Sequence, residues 1–209
     1  MCSPSFSDIK PQIYNYLGFK GVQPSPETDS LILSCYAEVE KTARFNYLYK
    51  AFDAIPEFLR KPPYADFLSG TTGVILCAMT IGADIDRLTR RYSRTDMTRS
   101  VIFDACASAY LEARADGYEK TIAENLTYRF CPGYGGSSVD DLKHIFALIH
   151  PEKIGITLNE NSFMLPSKSM AGIIGIGKSV QKSCENCFMR GNCRYREEGR
   201  RCFVLEKTL

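Results

Sequence analysis

"IGITLNENSFMLPSKSMAGIIGIG", residues 154–177, is the stretch on which the fold class turns. It consists of short β-like runs broken by Asn, Pro and Ser, a pattern that predicts antiparallel strands joined by turns. Everything before Pro151 reads mainly as helix. Helices followed by a strand-rich end predict an α+β fold, with long helices packed on an antiparallel sheet, rather than a doubly wound one.

The upstream segments fill in that picture. "PSPETDSLILSCYAEVEKTARFNYLYK", residues 24–50, reads as a helix in which Ile32, Cys35 or Tyr36, Val39 and Ala43 recur at helical spacing. Asp29 or Ser30 is placed to cap its start. "TTGVILCAMTIG", residues 71–82, is apolar with glycine near both ends and predicts a buried strand, and the polar residues after it begin another helix. Residues 95–120 carry the longest helical pattern, with Met97, Val101, Ala105 and Ala109 on one face. Residues 137–150 form an amphipathic helix with Val139, Leu142, Ile145 or Phe146, and Ile149 as its stripe; Ser137 with Asp140, or Ser138 with Asp141, offers a capping box.

Composition bounds the function. The 209 residues are 44% hydrophobic and 24% charged, ordinary globular values, with a net charge of +2 that does not suggest a dedicated nucleic-acid binder. No run of about 18 apolar residues predicts a membrane span. Residues 1–8 lack the basic and apolar regions of a signal peptide. The expectation is a cytoplasmic protein whose thiols stay reduced. Cys35, Cys77 and Cys106 lie in apolar stretches and read as small buried hydrophobes.

"YRFCPGYGGSS", residues 128–138, is the segment richest in chemistry. A loop of this composition bares backbone N–H groups, and a helix start behind it adds partial positive charge. Arg129 can clamp a carboxylate in bidentate fashion. Tyr134 can lay its ring against a flat or cationic group. The plain alternative is a tight turn whose arginine pairs with an acid.

Two motifs, with a shorter segment between them, make the chain recognisable. Arg129-x-x-Pro132-Gly133-Tyr134, then Leu158 and Glu160, then Met164-x-Pro166-x-x-Ser169-x-x-Gly172 resemble the S-adenosylmethionine-binding activation domain of cobalamin-dependent methionine synthase. "AMTIGADIDRL" and "TDMTRSVIFDACASA" are similar to stand-alone members of that family, and the resemblance covers roughly residues 10–177. It implies a cofactor site made of Arg129, Cys131, Gly133, Tyr134, Glu160 and Ser169, with Arg129 on the carboxylate of S-adenosylmethionine. It also implies a role for the chain as an accessory component of a methyltransferase. Cobalamin on a partner, methionine synthase or another corrinoid protein, would be reduced by a flavodoxin-like electron donor and then methylated. A carboxylate that the family carries on the preceding long helix falls at Ser108, with Glu112 one turn further on.

The remaining residues, 178–209, form a cysteine-rich tail following a domain of residues 1–177. Cys184-x2-Cys187-x5-Cys193-x8-Cys202 supplies four thiols among seven Lys or Arg and four Glu between Lys182 and Lys207. Four thiolates suit zinc or an iron–sulfur cluster equally in ligand type. A cluster would give an electron a place to pass through, whereas zinc would fold the tail without redox chemistry. His144 and His150 belong to no visible triad. Arg87 to Arg99 is a basic stretch, either a solvated helix face or a docking face for an acidic partner. Two other functions fit the same residues: a non-catalytic interaction module stabilised by metal, and a nucleic-acid-binding zinc protein, which the small net charge disfavours.

Overall fold

The computed structural model describes residues 3–19, 21–180, 183–185, 187, 190–199 and 201. Helix α1 (Phe6–Tyr16) opens with a capping box in which Ser5 and Asp8 each bond the other's backbone N–H. Helix α2 (Pro26–Thr42) starts at a cap formed by Ser25, whose Oγ accepts from the Thr28 N–H, with Pro26 just inside. Strand β1 (Asn46–Phe52), the short helix α3 (Tyr64–Phe67) and strand β2 (Gly73–Thr80) follow. Next come helices α4 (Ala83–Thr95) and α5 (Met97–Glu119), and then α6 (Leu142–Ile149) behind a 3-10 turn at Val139–Asp141. Strands β3 (Thr157–Leu158) and β4 (Met164–Leu165) make a small hairpin before β5 (Ser169–Ile176), and α7 (Arg194–Glu197) lies in the tail.

The main sheet has the order β1-β2-β5 and is antiparallel throughout. In it Asn46 faces Thr80, and Thr80 faces Ser169 across the second ladder. β2 is buried along its whole length because it is covered on both faces. Ile75, Cys77 and Met79 point into a core with Ile13, Ile32, Val39 and Phe103 of α1, α2 and α5. Val74, Leu76 and Ala78 point the other way, into a core with Phe67 of α3, Leu142, Ile145 and Ile149 of α6, and Ile173 of β5. The continuous apolar run of "GVILCAM" is therefore the signature of a strand with two apolar faces rather than one.

The α+β class and antiparallel sheet match the expectation, and Cys35, Cys77 and Cys106 are indeed buried in the core. Burial pushes their thiols up to about 11, about 12 and about 12 respectively, so they stay protonated and inert. Three readings need correction. The helix expected over 24–50 ends at Thr42; Ala43 is extended, and Asn46–Phe52 pairs with β2 as a strand. The aromatic alternation of Phe45, Tyr47 and Tyr49 favours a strand, and seven paired positions outweigh helix propensity there. Asp29 does not cap α2; it accepts from Lys10 and Tyr14 of α1, whose existence the sequence pattern did not predict.

The third correction concerns α5. Ala105 and Ala109 of the expected face are buried, with Ile102, Phe103, Cys106, Tyr110 and Ala115, but Met97 and Val101 are 64% and 55% exposed. Phe103→Ala should therefore destabilise the protein by about 3–5 kcal/mol in urea unfolding, as a fully buried aromatic does. Val101→Ala should change stability by less than about 0.5 kcal/mol.

Candidate functional site

The loop after α5 returns to the sheet and joins β5. Phe130 and Ile173 exchange both backbone hydrogen bonds, at 2.9 and 2.8 Å, so the two motif segments meet in one bridge. Gly172 lies beside this bridge with the stem of Arg129 packed over it. A Cβ at Gly172 would stand 2.5 Å from Arg129 Cγ and 2.9 Å from Cδ. The glycine of one motif thus makes room for the arginine of the other.

That packing buries the guanidinium, whose side chain is 2% exposed, and carries it to α5. Glu112, Asp116 and Glu119 recur at positions i, i+4 and i+7, one face of the helix. Arg129 Nη2 bonds Glu112 Oε2 at 2.6 Å and Asp116 Oδ1 at 3.3 Å, and Nη1 bonds Glu119. Tyr47 of β1 donates to the same Glu119 oxygen at 3.3 Å and stacks on Tyr118, ring centres 4.3 Å apart. Burial works against charge on Arg129, but Glu119, Glu112, Cys131 and Asp116 outweigh it and hold its pKa well above the ordinary value. Burial raises the pKa of Glu119, and the arginine opposes that rise. Glu112 and Asp116 are the outward members, 35% and 46% exposed in their side chains.

The loop itself spends several of the N–H groups expected to face a ligand. Gly133 N–H donates to Ser137 Oγ, Tyr134 N–H to the Cys131 carbonyl, and Ser137 N–H to the Tyr134 carbonyl. The α6 start is set back behind the 3-10 turn, with Asp140 and Asp141 at its mouth, and so offers little to an anion. Ser138 Oγ accepts from Asp140 N–H, and neither expected capping box forms. Tyr134 projects, 65% exposed, and Cys131 is half-buried.

The other named residues lie apart from Arg129. Ser169 is buried and bonds Thr80 across the sheet at 2.9 Å. Glu160 is exposed in the hairpin turn between β3 and β4, and Ser162 of that turn ties it to Asp140 at 2.6 Å. Ser108, where the resemblance places a carboxylate, receives Lys168 Nζ at 2.9 Å, and Asp104 pairs with the same lysine at 2.7 Å. Asp116 and Glu119 went unnoticed in the sequence. The usable signal was carboxylates at 112, 116 and 119 on one helical face, with an arginine ten residues after the last.

In the tail, Cys184, Cys187 and Cys193 are free, half-buried thiols, while Cys202 lies outside the described residues. Asn15 of α1 donates to the Arg201 carbonyl at 2.8 Å. Among the described residues, no three His, Cys, Asp or Glu side chains stand close enough to share a metal ion.

Gly172→Ala should cost roughly 1–3 kcal/mol, because the arginine stem and the Phe130 carbonyl must both shift. Arg129→Met leaves the buried carboxylate of Glu119 without a counter-charge and should cost about 3–5 kcal/mol at neutral pH. The variant should regain stability as the pH falls: folded Glu119, its pKa raised by burial, takes up a proton more readily than the unfolded chain does. Urea unfolding at several pH values checks both the cost and its sign.

No protein-family profile matches the chain, and no curated protein matches it. Among solved structures it is similar to a crystal structure of the MetH reactivation domain bound to AdoHcy. The TM-score is 0.60 at 16% identity, over 96% of this chain and 86% of that one. At this identity the likeness speaks for architecture alone. The chain has the fold of the MetH reactivation domain.

Proposed function

We propose that this chain binds S-adenosylmethionine beside Arg129 and serves as an accessory subunit in the reductive reactivation of cobalamin-dependent methionine synthase. The observation that carries the reading is the union of the two motif segments: Arg129 of the first crosses Gly172 of the second to reach the acids of α5. That union is what a site built from both motifs requires, and the shared fold supports it.

The donor set fits the methionine end of such a ligand. That end carries a sulfonium, an ammonium and a carboxylate. The half-exposed Glu112 and Asp116 face its positive groups, and Arg129 takes the carboxylate by exchanging its contact to Asp116, the longest of the three at 3.3 Å. Tyr134 closes on the ligand from the loop, with Cys131 and Gly133 shaping the wall. Glu160 and Ser169 support it at one remove, through the hairpin tie to Asp140 and the anchoring of β5 to Thr80. The ligand supplies an electrophilic methyl group, which reduced cobalamin on the partner would take up, leaving S-adenosylhomocysteine. The chain's own task is proximity and orientation. The partner is methionine synthase or another corrinoid protein, with a flavodoxin-like electron donor.

The tail, residues 178–209, belongs to the same proposal as a separate unit. Cys184, Cys187, Cys193 and Cys202 would take up an iron–sulfur cluster, or zinc, when metal is present; three are free thiols in the structure, and since no three metal-binding side chains converge among the described residues, the metal would have to draw them together. A second reading, an interaction module without S-adenosylmethionine, draws on the fact that Arg129 already holds three carboxylates.

Calorimetric titration separates the two. Saturable, one-to-one binding of S-adenosylmethionine, weakened about tenfold or more in Tyr134→Ala, is expected; no binding heat in the folded wild-type protein would favour the module. Anaerobic purification should yield a brown protein containing iron and sulfide and bleached by dithionite. Colourless protein with stoichiometric zinc would make the tail a structural clip, and metal-free protein would remove the assignment.

A further inference from the structure

The end of α1 and the start of α5 enclose two joined grooves. The first, of about 360 Å³, is walled by Leu17, Phe19, Met97, Val101 and Ile102 and edged by two threonines; among the described residues no charged side chain lines it. The second, of about 620 Å³, shares Leu17 and Val101 with the first and adds Tyr16 and Ala105. Met97, Val101 and Tyr16 are exposed. Large apolar side chains set side by side and open to water make a surface that a further apolar segment can cover.

The chain itself supplies that segment. Asn15 Nδ2 donates to the Arg201 carbonyl at 2.8 Å, which fixes the tail at the residue before Tyr16 and two before Leu17. The next residues are Cys202-Phe203-Val204-Leu205, which lie outside the described residues. They form an apolar run after a charged one, since the twelve residues at 190–201 hold five Arg and two Glu. Four residues span up to about 13 Å, whereas the step from position 15 to position 17 along α1 is only about 3 Å. The groove is therefore within easy reach. Tethering at Arg201 presents the run at an effective concentration of about millimolar, which favours the same chain over a second copy as the occupant.

We propose that Phe203, Val204 and Leu205 seat in the groove between Leu17, Phe19 and Met97 and latch the end of the cysteine tail to the body of the protein. Apolar burial drives the contact and offsets the ordering of a short, tethered segment. At the other end of the tail the Val180 carbonyl accepts from the Tyr128 N–H at 3.1 Å, so the latch ties the tail down at both ends. Cys202, between the Arg201 anchor and the seated Phe203, is thereby held beside α1. That position makes α1 a neighbour of any metal the tail takes up, a consequence that rests on the function proposed above.

The test is photo-crosslinking in the full chain, with p-benzoylphenylalanine introduced in place of Phe203 and, in a second protein, in place of Val204. Adducts are mapped by mass spectrometry on mixed light- and heavy-isotope protein. Adducts within one chain on residues 16–19 or 97–102 are the expected result, with a yield that falls at least about tenfold when Met97→Asp puts a charge in the groove. Adducts only elsewhere, or none, from both positions would overturn the proposal, as would a yield unchanged by Met97→Asp. Groove adducts that join light to heavy chains would make the surface an interface between copies and overturn the latch. An unchanged unfolding transition shows that the Met97→Asp protein is folded. Groove adducts in a protein whose tail takes up no metal uphold the latch and remove the metal assignment alone.

Discussion

One buried arginine organises the centre of this protein. Arg129 leaves the loop after α5, passes over a glycine in β5, and ends among Glu112, Asp116 and Glu119 of α5. A guanidinium removed from water needs its charge and its N–H groups satisfied together, and a rigid fork suits facing carboxylates better than a lysine would. Three chain segments, α5, the loop that follows it and the distant β5, are thereby fixed relative to one another, with Tyr47 of β1 drawn in through Glu119. The arrangement is costly to leave half-made, because Glu119 without the arginine would be desolvated without compensation.

The sheet supplies the platform for this contact. β2 is buried on both faces and sits between β1 and β5, so its register sets where both neighbours lie. A slip by one residue would turn the Ile75, Cys77 and Met79 face towards the wrong core. Small residues in β5 then decide what may approach it. Gly172 admits Arg129, and Gly175 lies under Thr71 and Thr127, whose methyl carbons stand 2.5 and 3.1 Å from where a Cβ would be. The loop that carries Arg129 can cross the sheet only at such positions. Site and fold share the same close approaches.

Much of this was legible beforehand, for identifiable reasons. The helices with strong apolar periodicity, the buried strand at 73–80 and the antiparallel end were readable because local pattern and tertiary environment agree there. The error at 43–50 arose where they disagree, since a helical run continued in sequence while pairing with β2 claimed the residues. The face of α5 was misjudged because Ala, Cys and Ser dominate its buried side, leaving Met97 and Val101 as the more conspicuous apolar residues. At the site, the motif spacing marked Arg129 and Gly172 as members of one constellation. That each needs the other for room was invisible, because a close approach between segments forty-three residues apart has no local signature. Of the α5 acids, Glu112 stood out only through the resemblance, and Asp116 and Glu119 drew no notice until the arginine was placed.

The central claim is that Arg129 and the α5 acids act as one unit. A double-mutant cycle in urea with Arg129→Met, Glu119→Gln and the two combined tests it directly. The account predicts a coupling of about 1.5 kcal/mol or more, the double variant being more stable than the sum of the single losses implies. Losses that add to within about 0.5 kcal/mol would show that the arginine and the acid stabilise the protein independently, and would contradict it.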